Sequence, residues 1–306
     1  MVKGRIINLN GGLYQVLTED GNTISVKARG KLRSVKTVAV NQKAISKKEE
    51  HITLKQSPKV GDLVIIKQDM IDTILPRVNE LIRPDISNVD QILLVFAAKE
   101  PDFSFYLLDL FIANILKQKI TPVIVISKID KCSEEELEDL KNKMNYYSNF
   151  GYPVFFVNSK TGEGVDLVKE QLKNKVTVLS GQTGAGKSTL INAIMPNFEL
   201  KTQEISYALG RGKHTTRETT LYMFENGFIG DTPGFSKLDV LGIEKKELRE
   251  LFVEFSDFPC RFKDCLHQHN SLGCGVKEAS LNNEILPSRY DSYLKMLEQI
   301  NTKEKK

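Results

Sequence analysis

The stretch VTVLSGQTGAGKSTLINAIM, residues 176–195, decides the fold. A short β-branched run leads into a glycine-rich loop, and a plausible helix follows. The loop, Gly181, Gln182, Thr183, Gly184, Ala185, Gly186, Lys187, Ser188 and Thr189, matches G-x-x-x-x-G-K-[ST]. Backbone N–H groups at the positive end of a helix dipole form an anion cradle. Gly181 and Gly186 permit the positive φ and close approach that such a nest needs. Lys187 is expected to reach the β and γ phosphates, and Ser188 to offer Mg²⁺ a hydroxyl. The spacing predicts a nucleoside triphosphatase.

Outward from the loop, strands alternate with helices over roughly residues 88–240. QILLVFAA and PVIVIS are continuous apolar runs, as parallel strands buried on both faces require. PVFFVN repeats the theme, and helical stretches are expected over 103–118, 134–149 and 164–173. This is a doubly wound α/β domain. DTPG, Asp231 to Gly234, begins 231 − 187 = 44 residues after Lys187, behind the strand FIG. Asp231 there suits the outer sphere of Mg²⁺, and the Gly234 N–H suits the γ-phosphate.

The base is chosen elsewhere. SKID, residues Ser127, Lys128, Ile129 and Asp130, ends the strand PVIVIS. A carboxylate at that edge accepts from guanine N1–H and the exocyclic amine, a donor pair adenine lacks. The Lys128 stem can cover the base. NSK, residues Asn158, Ser159 and Lys160, ends the next strand and can present a backbone N–H to the guanine carbonyl. Guanine-nucleotide switches ordinarily place these boxes after the phosphate loop. Here they precede it, so the pocket is expected from a circularly permuted chain, which costs a fold little when its termini lie close.

Residues 1–78 read as all-β. GRIINLNGGLYQVLT, NTISVKARG, DLVIIKQ and MIDTILPR are short and separated by Gly, Asn and Asp turns. A five-strand barrel of the oligonucleotide-binding (OB) type fits, and an SH3-like barrel fits almost as well. Residues 36–57 are expected as a long, partly basic loop, and residues 79–90 as a linker. Residues 1–67 hold 13 Lys or Arg against 5 Asp or Glu, a balance of +8 in a chain whose net charge is +4. The remainder sums to −4, so the basic block points to a polyanion partner.

Hydrophobic residues at 41% and charged residues at 27% exclude wholesale disorder. No apolar run reaches the roughly 18 residues of a membrane span. The start MVKGRIINLNGG lacks the apolar stretch of a signal peptide, which predicts a cytoplasmic protein without membrane partners. Beyond residue 240 the pattern turns helical around Cys260, Cys265, His267 and Cys274, spaced C-x4-C-x-H-x6-C. Three thiolates and an imidazole suit one structural Zn²⁺. His269 competes with His267 as the fourth ligand.

Permuted order, a basic N-terminal barrel, GRGKHTTRETT at residues 210–220 and the C-terminal Cys/His motif together resemble the ribosome small-subunit-dependent GTPase A family (RsgA, also called YjeQ). The resemblance spans the whole chain. It implies a multidomain protein: an OB-fold RNA-binding barrel over 1–78, a circularly permuted GTPase domain over 79–240 and a zinc-binding helical domain over 241–306. It further implies a GTPase, converting GTP and water to GDP and phosphate, that is stimulated by the small ribosomal subunit and assists its late maturation through contact with its rRNA. A monomer is expected. The rival reading is a non-catalytic rRNA-binding checkpoint protein that uses GTP as an affinity switch.

The chain departs from the family pattern twice. Ser127 stands where most GTPases carry Asn, which puts one base contact in doubt. The zinc motif has one residue inserted before Cys274, and His267 is preferred because C-x-H is kept. Phe235, after DTPG, cannot orient water as the usual glutamine does. His214, in the expected first switch, can do so near pH 7. Its alternatives are to stabilise the closed switch or to contact RNA. Thr215 and Thr216 are both candidates for Mg²⁺, and the family pattern favours Thr216.

Overall fold

The computed structural model describes all residues except 31, 39–49, 56, 82–83, 197–218, 232–241 and 305–306. The described chain forms two compact units.

The first unit contains a closed barrel. Its strands are β1 (Val2–Asn10), β2 (Leu13–Thr18), β3 (Thr23–Ala28), β6 (Leu63–Lys67) and β7 (Met70–Ile74). They close in the order β1-β2-β3-β7-β6, with β3 and β7 parallel and the other pairs antiparallel. That Greek-key closure is the OB fold, not an SH3-like barrel. Alternation turns Ile6, Val16, Val26, Val64 and Ile71 inward, all nearly fully buried. The expected loop over 36–57 is corrected. β4 (Arg33–Val38) and β5 (Glu50–Lys55) pair antiparallel there, since β-branched residues at both ends supply a ladder.

Residues 79–90 are not a free linker either. β8 (Glu80–Leu81) pairs with β9 (Ile86–Ser87). The Asn79 amide donates to Val89 O at 2.8 Å and accepts the Val89 N–H at 2.9 Å. The Ser87 hydroxyl donates to the buried Asp62 carboxylate at 2.6 Å, which Arg77 also holds at 2.7 Å.

The same unit includes a hairpin further along the chain. Its strands are β14 (Thr220–Phe224) and β15 (Gly227–Asp231). Glu225 and Asn226, at φ +47° and +60°, make the two-residue turn whose twist suits a hairpin.

The second unit carries four parallel strands in the order β12-β11-β10-β13: Val154–Phe156, Thr121–Ser127, Gln91–Ala97 and Val176–Gly181. Every residue of β10 and β13 is buried, including the polar Gln91, Thr177 and Ser180 among their apolar neighbours. Three helices connect these strands, α1 (Phe105–Lys117), α2 (Glu134–Asn149) and α3 (Val165–Leu172), and α4 (Lys187–Ile194) follows β13. α2 starts at a capping box. The Ser133 side chain takes the Glu136 N–H, and the Glu136 side chain takes the Ser133 N–H.

The C-terminal part packs onto this sheet unit through α1. It contains α5 (Lys245–Leu251), α6 (Gly275–Leu281) and α7 (Pro287–Glu304). Leu110 and Ala113 of α1 share a core with Leu248, Phe252, Tyr293 and Met296. Arg289 of α7 is 1% exposed and bridges Asp109 of α1, at 2.7 Å, to Glu254, at 2.6 Å. No helix among the described residues is long and apolar enough to cross a membrane.

Candidate nucleotide site and metal centre

Parallel strands deliver their C-terminal ends to one edge, and ligands of open α/β sheets bind there. β11 ends in Ser127. Lys128 turns the chain at φ +57° into a short 3₁₀ turn, Ile129–Lys131, which carries Asp130. Past the end of β12, the Asn158 side chain accepts the Lys160 N–H at 3.1 Å, and Asn158 O accepts the Gly162 N–H at 2.9 Å. These turns enclose a cavity of about 260 Å³ lined by Lys128, Asp130, Asn158, Ser159, Lys160 and Thr189, among others. Lys160 Nζ stands 3.8 Å from the Asp130 carboxylate.

The phosphate loop completes that cavity through Ala185 and Gly186. Gly181 sits at φ +121°, and a Cβ there would meet Val95 O at 2.2 Å. Only glycine lets the loop leave β13 against β10. Gly186 caps α4 at φ +84°. Lys187 folds back over the loop, with Nζ donating to Gly181 O at 3.1 Å and Gln182 O at 2.7 Å. Burial holds its ammonium below the usual lysine range. Ser188 and Thr189 are exposed on the first turn of α4, and Thr183 and Gly184 are exposed at the loop's tip.

Ser127 has a definite role in this geometry. Its hydroxyl is 2% exposed and donates to Ala185 O, with Phe96 O at 3.1 Å. The hydroxyl lies within hydrogen-bond distance of a phosphate-loop carbonyl and of a β10 carbonyl, so Ser127 ties the base box to both. A second brace carried no sequence signal. Lys128 Nζ donates to Glu100 O, and the Gln182 amide donates to Asp102 O at 2.8 Å. The turn after β10 thus grips both boxes by backbone carbonyls, which any residue could supply.

Asp231 ends β15, opposite Thr220. Gly234, His214 and Thr216 lie outside the described residues, as do Thr215 and Phe235.

The Cys/His motif folds into one cluster. Cys260, Cys265, His267 and Cys274 bring their ligand atoms within 4.8 Å of one another. His267 Nδ1 lies 3.4 Å from the sulfurs of both Cys260 and Cys274, and those sulfurs are 3.7 Å apart. Tetrahedral zinc, with bonds of about 2.3 Å to sulfur and about 2.0 Å to nitrogen, spaces its ligand atoms roughly 3.5–3.8 Å apart. The donor set and its spacing fit a metal ion. The His269 ring lies outside the cluster, edge-on against Tyr290.

The ligands are held in turn. The His267 N–H donates to Cys265 Sγ and the Lys277 N–H to Cys274 Sγ, both at 3.4 Å. The Tyr290 hydroxyl donates to His267 O at 2.8 Å. Burial, with Arg249 nearby, lowers the His267 pKa to about 4, which keeps the imidazole in its neutral, ligating form at pH 7.

Comparison with known proteins agrees with this geometry. A family model described as RsgA GTPase matches residues 74–241. The small ribosomal subunit biogenesis GTPase RsgA of Phytoplasma australiense is 43% identical over 314 residues, covering 100% of this chain and 98% of that protein. Its counterpart from Halalkalibacterium halodurans is 40% identical over 313 residues, covering 100% and 99%. Among solved structures, YjeQ from Thermotoga maritima aligns with TM-score 0.79 and 34% identity, covering 98% of each chain. YloQ, a circularly permuted GTPase, aligns with TM-score 0.79 and 33% identity, covering 99% of this chain and 96% of that one.

Proposed function

This chain belongs to the RsgA GTPase family, and on that premise we propose how its residues divide the work of a GTPase in small ribosomal subunit maturation. The observation that carries the proposal is the cavity in which Asp130, Asn158 and the phosphate loop meet. Asp130 accepts from guanine N1–H and the exocyclic amine. The Lys128 stem covers the base, and the turn at Asn158, Ser159 and Lys160 presents a backbone N–H to the guanine carbonyl. Residues Gly181 to Thr189 hold the phosphates through backbone N–H groups, and Lys187 swings from its loop carbonyls to the β and γ oxygens. Ser188 and Thr216 would hold Mg²⁺, which would supply positive charge to neutralise the phosphate oxygens. Asp231 and the Gly234 N–H close the site on the γ-phosphate. His214 orients the attacking water, a task Phe235 cannot perform.

The chain works as three parts, 1–78, 79–240 and 241–306. The basic barrel, with the helical C-terminal part, holds the rRNA of the small subunit. The subunit accelerates hydrolysis, and hydrolysis releases the protein. The chain acts as a cytoplasmic monomer. Comparing GTP turnover with small subunits, large subunits and naked rRNA tests this reading. Equal stimulation by all three would remove the subunit from the mechanism.

Asp130→Asn should weaken GTP binding roughly 100-fold or more, because two charge-assisted hydrogen bonds are lost. It should transfer preference to xanthosine triphosphate, whose extra carbonyl accepts from the new amide. Competition binding with the two nucleotides checks it, and an unchanged GTP preference would take Asp130 out of the pocket.

The metal is one structural Zn²⁺ on Cys260, Cys265, His267 and Cys274. Such sites contribute folding free energy directly. Cys265→Ser should therefore reduce metal content below one equivalent and lower the unfolding temperature of the C-terminal part. Metal analysis beside a thermal scan measures both. A variant that keeps full zinc would remove Cys265 from the ligand set.

A further inference from the structure

The Cys/His cluster fastens a short loop between Cys260 and Cys265 that reads Arg261-Phe262-Lys263-Asp264. Its backbone is braced on both sides. The Arg261 N–H donates to Gly273 O, and Arg249 donates to Lys263 O, each at 2.8 Å. Gly273 sits at φ +61°, where a Cβ would come 2.9 Å from Arg261 Cβ, so glycine permits the close approach. On this braced loop Phe262 is 52% exposed. A lone exposed apolar residue is ordinary, but Phe262 has specific company. The Arg261 guanidinium lies 5.5 Å from its ring centroid. A cavity of about 530 Å³ opens beside it, running from the cluster residues Cys260, Cys265 and His267 out to Arg249 and Lys263, with Glu250 as the one acid of its lining and Asp264 exposed on the same loop.

An exposed ring with a guanidinium beside it, a lysine next in sequence and an open cavity alongside match the chemistry of an unstacked nucleotide. The ring meets the base, and the cations meet the flanking phosphates. We infer that Phe262 is a stacking platform for an unpaired base of single-stranded RNA, with Arg261 and Lys263 on the adjoining backbone. The inference rests on the reading of this chain as a partner of small-subunit rRNA and adds the residue that grips a base.

The chain contains no tryptophan. Phe262→Trp in the full-length, metal-loaded protein therefore installs a single indole at the site. A single-stranded oligoribonucleotide of mixed sequence should quench it. An abasic ribose-phosphate oligomer of equal length, with the same charge but nothing to stack, should not. Phe262→Ala should weaken small-subunit binding roughly 5- to 150-fold, the range that losing one stacked base spans. Its salt slope should stay unchanged, whereas Lys263→Ala should lower the slope by about one. Phe262→Tyr, which keeps a ring, should bind like the parent. Equal quenching by both oligomers, or none at saturation, would overturn the proposal, as would full affinity in Phe262→Ala. Lost subunit affinity without RNA quenching would mean that a ribosomal protein docks there, which also overturns it. A parent protein that binds no small subunits at all would instead sink the functional reading beneath it.

Discussion

Arg289→Met should destabilise the second compact unit by about 3–5 kcal/mol, the usual cost of removing one partner from a buried ion cluster. Arg289 donates to Asp109 at 2.7 Å and to Glu254 at 2.6 and 3.3 Å, and its guanidinium lies 4.1 Å from the Phe252 ring centroid. Methionine fills part of the volume and leaves two buried carboxylates without a cation. Asp109 is already raised by burial, against the opposing pull of Arg289. Without Arg289 it rises further, so the folded state binds a proton that the unfolded chain releases above about pH 4. A folded-state pKa raised in this way stabilises only below the unfolded value and loses that contribution as pH rises. The deficit should accordingly be smallest in acid and widen toward neutrality. Arg289→Lys should recover little, because an ammonium cannot reach both carboxylates as a planar fork does. Urea titrations at pH 5 and pH 7 measure both effects. A neutral-pH loss under about 0.5 kcal/mol, the ordinary scatter of surface substitutions, would mean that the cluster contributes nothing.

Lys187→Ala should lower GTP turnover roughly 100- to 1,000-fold, the range for removing one preorganised group from a developing negative charge. The fold should survive. Lys187 is only partly buried, and its Nζ partners are the loop's own carbonyls, Gly181 O and Gln182 O. Those carbonyls can turn to water once the ammonium is gone. The loss should persist at saturating GTP, since the charge acts on the transferring phosphoryl group as well as on binding. Single-turnover hydrolysis with and without small subunits separates chemistry from release. Near-normal turnover in both would mean that the loop is not the phosphate site.

Much of this architecture is written locally. The apolar runs of β10 and β11 can belong only to strands covered on both faces, and Ser133 with Glu136 announces the start of α2. The order of Asp130, Asn158 and Lys187 along the chain already implies a permuted pocket. The pairing of β4 with β5 was hidden because the lysine-rich composition of this stretch resembles loop, while a ladder depends on its partner strand. The clasp over 79–90 was hidden because its proline looked like a break, whereas Asn79 and Ser87 act through distant carbonyls and carboxylates. Glu100 and Asp102 brace the site with backbone atoms alone and leave no trace in residue type. The role of Ser127 needed the position of Ala185, which lies 58 residues away.

Asp109 and Arg289 are separated by 180 residues. A ribosome adding roughly 5–20 residues per second makes α7 some 10–35 seconds after α1. During that interval the emerging chain holds a carboxylate on an apolar helix with no cation yet synthesised to meet it. The base-reading strands can pair early, but the face of α1 that α7 covers stays open until the final helix leaves the exit tunnel. The second unit therefore closes its ion cluster only once Arg289 has cleared the exit tunnel, and chains stalled before that residue should be the ones that chaperones hold and proteases clear.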